Sequence, residues 1–172
     1  MNFKKSMLAS ALLVVASASA FAAVKSSTVE FNISAKVPDA GFNFYAVGFG
    51  AADTVTMDYN DKTGKLVDKF VKLGFTGKAD VTNDLKASIR KSELNNPVSK
   101  DSFDLDVTLV NGLDASKSHK LDYTPKSVVT ATADADDVYK NLQLKLSQPA
   151  GKSTLTEGTY NGTLTVLFEA GV

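Results

Sequence analysis

Ser102–Val110 reads SFDLDVTLV, with apolar Phe103, Leu105, Val107 and Leu109 separated by polar Asp104, Asp106 and Thr108. Alternation at period two marks a strand with one buried face, because successive side chains point to opposite sides of a sheet. Asn111-Gly112 follows at once, a pair that favours a tight hairpin turn. Toward the N-terminus, Asp84–Lys91 alternates Leu85, Ala87 and Ile89, and Thr54–Tyr59 alternates Val55, Met57 and Tyr59. The turn-rich Asn60–Gly64 predicts a hairpin from that strand onto Leu66–Leu73. Ser92–Lys100 predicts a loop, since Asn95-Asn96-Pro97 breaks either periodicity.

Toward the C-terminus, Ser127–Ala133 is β-branched, and Val138–Leu146 puts Val138, Leu142, Leu144 and Leu146 on one face. A turn of helix within Ala131–Lys140 is the minor alternative there. The last strand, Thr159–Ala170 (TYNGTLTVLFEA), aligns Tyr160, Leu164, Val166, Phe168 and Ala170, with Gly162 in their row. Short strands with turns between them, and no sustained amphipathic helix, predict a single all-β domain, an antiparallel β-sandwich.

The first 22 residues read differently. Lys4-Lys5, an apolar run from Met7 to Val15 and the small residues around Ala20-Phe21-Ala22 form a secretory signal. The run is shorter than the roughly 20 residues a membrane span needs. Cleavage after Ala22 removes two lysines and leaves 17 basic against 19 acidic residues, a net charge of −2. That balance gives no basic surface for nucleic acid. Cysteine is absent, although disulfides can form in the compartments that exported proteins enter. Thiol chemistry and cysteine metal sites are thereby excluded.

Other catalytic patterns are missing too. His119 is the only histidine; it falls in a polar loop running into a strand and has no His or Cys to join it as a metal ligand. Asp134, Asp136 and Asp137 lack the glycine and distant glutamate of a calcium loop. Asn32-Ile-Ser and Asn161-Gly-Thr fit the glycosylation pattern inside predicted strands and are assigned no role. No enzyme, cofactor or metal is expected.

The two ends of the mature chain share one pattern. Near the start, Val29, Phe31, Ile33, Ala35 and Val37 alternate with Glu30, Asn32, Ser34 and Lys36 before Pro38. Proline ends such a strand because it has no N–H to donate. With VEFNISAKVPD at Val29–Asp39 and EGTYNGTLTVLF at Glu157–Phe168, the sequence resembles the major subunits of chaperone–usher pili. It is most similar to the alternate, α-type, colonisation-factor pilins, which generally lack the disulfide of better-known pilins.

That resemblance implies an immunoglobulin-like sandwich lacking its final strand. Residues 23–38 would be an N-terminal donor extension and 39–172 the pilin body. The donor residues would be Val29, Phe31, Ile33, Ala35 and Val37. The acceptor groove, which a chaperone also occupies, would be lined by Tyr160, Leu164, Val166 and Phe168. The implied partners are copies of the same chain, a periplasmic chaperone, an outer-membrane usher and a tip adhesin, with export through the periplasm to a fimbria at the cell surface. Two other readings compete: a monomeric exported β-sandwich that binds a small ligand or carbohydrate, with residues 28–37 as its own edge strand, and a tip adhesin, for whose second domain the chain has no room.

Overall fold

The computed structural model describes residues 26–31, 43–50, 53–76, 84–130 and 135–170. The signal segment and the donor positions Ile33, Ala35 and Val37 lie outside the described residues. What is described is almost entirely β. Thirteen strands form two sheets, and one short helix, α1 (Ala135–Lys140), precedes a strand of the second sheet.

The larger sheet takes β11 (Lys126–Val129), β6 (Leu85–Lys91), β13 (Asn161–Ala170), β1 (Ser26–Phe31), β3 (Thr54–Asn60) and β4 (Lys65–Leu66) in that order. Beside β13 it adds β7 (Glu93–Asn95), which pairs in turn with β8 (Ser102–Asp104). The smaller sheet runs β10 (Asp114–Lys120), β9 (Asp106–Asn111), β12 (Leu142–Ser147), β5 (Lys69–Thr76), β2 (Asn43–Ala46). Alternate residues of both sheets meet in one core. Val55, Met57, Leu85, Ala87 and Ile89 face Val71, Leu73, Val107, Leu109, Leu142, Leu144 and Leu146, all buried. The all-β sandwich expected from the alternation is the observed fold.

Several elements differ from the sequence reading. Ser102–Val110 is not one strand. β8 pairs with β7 in the larger sheet and β9 with β12 in the smaller, and the chain changes sheets at Leu105, whose N–H donates to Ser92 O at 3.0 Å. Phe103, Leu105, Val107 and Leu109 all stay buried through the change. The segment read as a loop, Ser92–Lys100, begins with β7. Asn96 then makes the turn, its side-chain oxygen accepting from Val98 N and Ser99 N at 3.0 and 3.1 Å. The Asn60–Gly64 turn closes a hairpin only as far as Lys65–Leu66, after which β5 belongs to the other sheet. Val138–Lys140 is helical rather than extended, and places Tyr139 in the core. His119 lies within strand β10 rather than in a loop.

Candidate strand-pairing site

β13 is the spine of the larger sheet. On one side it pairs antiparallel with β6 from Thr165 to Ala170 and with β7 at Asn161 and Gly162. Its sequence explains its place: Thr, Val, Leu and Phe suit a pleated, half-buried surface. Every second side chain enters the core, with Leu164, Val166 and Phe168 buried to within 1 %. Burying each contributes about 1.5–3 kcal/mol. The Phe168 ring packs 4.6 Å from that of Phe44 on β2, which in turn lies 5.2 Å from Phe75 and 5.9 Å from Tyr139. Aromatic contacts thus tie the spine to the opposite sheet and to α1.

Gly162 occupies the same row for a steric reason. A Cβ there would lie 2.1 Å from Glu93 O and 2.7 Å from the Leu94 side chain. Only glycine lets β7 come this close.

Tyr160 sits just before the strand, buried, its ring 5.5 Å from Phe103. Its hydroxyl donates to Asp101 and accepts from Thr156 N at 3.0 Å. Asp101 also takes a hydrogen bond from Lys152. Hydrogen bonds from Lys152 and Tyr160 hold the Asp101 carboxyl well below the usual carboxylate range, while burial and the neighbouring Asp101 push the Tyr160 hydroxyl upward. This clamp fixes the loop that feeds β13. Its polar members could not be picked from the sequence, because Asp101 and Lys152 lie far apart in the chain with no pattern to join them.

The other side of β13 faces β1. That strand runs parallel to β13, with Glu30 paired to Thr163 and Phe31 to Leu164, and antiparallel to β3 over five pairs from Ser26↔Asp58 to Glu30↔Thr54. It therefore fills a slot one strand wide between β13 and β3. Val29 holds the register position of Val55, and Phe31 that of Leu164; both partners are core residues. Tyr160, Leu164, Val166 and Phe168, expected from the sequence to line a groove, are all buried core residues. Of the five donor positions, Val29 and Phe31 fall in β1.

The arrangement defines a class: an all-β sandwich whose N-terminal strand occupies a seam beside its C-terminal strand. Residues 9–169 match the family model described as the CS1 type fimbrial major subunit. The chain belongs to this family of structural fimbrial subunits, which are not enzymes and build surface fimbriae from repeated copies. No curated protein matches the chain.

Proposed function

We propose that the chain is a major pilin assembled through the chaperone–usher pathway by donor-strand complementation. Residues 23–38 act as the donor extension, and the slot between β13 and β3 is the acceptor. The observation that carries the reading is β1 itself, an N-terminal strand seated between β13 and β3, parallel to the first and antiparallel to the second. Its register partners Val55 and Leu164 are buried core residues on the two walls of the slot. Strand addition at a sheet edge draws affinity from backbone bonds and register from alternate side chains. Val29, Phe31, Ile33, Ala35 and Val37 supply that alternation, and apolar side chains entering a groove contribute about 1.5–3 kcal/mol each, less for Ala35.

In an isolated chain, β1 occupies the slot itself. In the periplasm a chaperone strand holds it, and at the usher the extension of the next subunit replaces that strand, with an adhesin at the tip. An unfilled slot would leave an exposed edge prone to aggregation.

Deletion of residues 24–36 with a co-expressed periplasmic chaperone tests this. The expected product is a soluble chaperone complex that cannot extend a fibre. Loss of the folded body despite the chaperone would instead make the segment an ordinary intramolecular strand.

A further inference from the structure

Among the described residues, the edge strands β10 and β11 and Val138 of α1 border a common space. A cavity of about 390 Å³ lies there, within the range of small-molecule sites. Its floor is apolar, with Leu109 and Leu142 from the smaller sheet and Val128 and Val129 from the larger. Its β10 wall carries Lys117 and His119, and no carboxylate is among its described lining residues. Along the chain, the exposed Asp137 adjoins the lining residue Val138, and Asp114, three residues from Lys117, is already engaged by Ser116 Oγ at 2.6 Å, Ser116 N at 3.1 Å and Lys117 Nζ at 3.9 Å.

Both strands that border the cavity slip register beside it. β10 passes from Asp114↔Asn111 to Ser118↔Val110, so residues 115–117 bulge out. β11 slips between Ser127 and Val129, which buries the consecutive Val128 and Val129. Bulges bend a strand and re-aim its side chains. His119 pairs with Leu109 and so shares the core-facing side of its sheet, where alternation would place an apolar residue. Edge protection accounts for a bulge or an inward polar residue on one strand. It does not require bulges on both facing edges with an apolar cavity between them.

We propose that this cavity binds a small amphipathic carboxylate. The hydrocarbon part lies over Leu109, Val129 and Leu142, and the carboxylate meets His119 and Lys117 at the mouth. The site is independent of strand exchange, so soluble and assembled protein should both bind.

Equilibrium dialysis of the mature full-length protein against radiolabelled decanoate tests the assignment. Saturable uptake of one decanoate per subunit is expected, with decanol and acetate each at least tenfold weaker. Thr130→Trp, at an exposed lining position, and Val129→Trp, in the floor, should each weaken decanoate at least tenfold. Lys117→Gln with His119→Gln should weaken decanoate several-fold and leave decanol unchanged. Absence of saturable uptake, equal binding of decanoate and decanol, or uptake indifferent to Thr130→Trp would overturn the proposal. Should Val129→Trp fail to fold, Thr130→Trp decides.

Discussion

The two terminal strands carry the same alternation and are held in different ways. β13 spans ten residues, is paired antiparallel with β6 along its second half, and sends Leu164, Val166 and Phe168 into the centre of the core. Among the described residues, β1 runs parallel to β13 through Glu30↔Thr163 and Phe31↔Leu164 and antiparallel to β3 over five pairs. Parallel pairing is slightly weaker per residue. Alternation therefore reports that one face is buried, and the direction of pairing sets the two strands apart. β13 is bound to β6 and β7 by antiparallel ladders, and β1 joins its other side in parallel.

Five substitutions probe that contrast. The largest effect is expected at Val166→Lys, which places an unpaired charge in the core at a cost of about 3–5 kcal/mol, a large part of a small domain's stability. Subunit recovery from the periplasm should fall to nothing; ordinary yields would mean that β13 is no more firmly held than β1. Next comes the donor alternation. With the segment 24–36 fused after Val172 through a flexible linker, a stable monomer with a sharp thermal transition is expected. Ile33→Lys in that fusion should cost several kcal/mol, whereas Glu30→Lys should stay within about 0.5 kcal/mol. Equal effects, measured by chemical denaturation, would show that the extension has no preferred buried face.

Gly162→Ala should cost about 1–3 kcal/mol, since its Cβ would overlap Glu93 O and β7 would have to move. An unchanged denaturation midpoint would mean that the β7–β13 crossing gives way freely. The smallest effect concerns Asp101. Its folded carboxyl lies below the ordinary value of 3.8, so the unfolded chain binds that proton more tightly. The associated stability is complete above about 3.8 and declines as pH falls below it toward the lowered folded value. Asp101→Asn should flatten this part of the acid limb of a stability–pH curve; an unaltered slope would remove Asp101 from the anchorage of β13.

Strand positions and buried faces were largely legible in the sequence, because period two is a local property. Phe103, Leu105, Val107 and Leu109 illustrate both the power and the limit of that signal. All four are buried as alternation predicts, yet the chain changes sheets at Leu105. Side-chain parity survives such a change, so nothing in the pattern marks it. Helix α1 was obscured for another reason: six residues are too few to display a 3.6-residue period, and Val138 continued the row of Leu142 and Leu144. β2 was missed because four residues, with Phe44 alone buried, carry too little alternation. At the candidate site the apolar residues of β13 could be named in advance. The Asp101–Lys152–Tyr160 clamp could not, since it depends on tertiary proximity.

The slot between β13 and β3 has a property of direction. β1 runs with β13 and against β3, so its two walls point opposite ways. Any strand lying between them has one parallel and one antiparallel neighbour, whichever end leads. Turning the occupant around exchanges the two kinds of ladder and leaves one of each. Backbone pairing alone is thus nearly indifferent to polarity, and the choice between head-first and tail-first occupancy falls to the spacing of side chains along the groove.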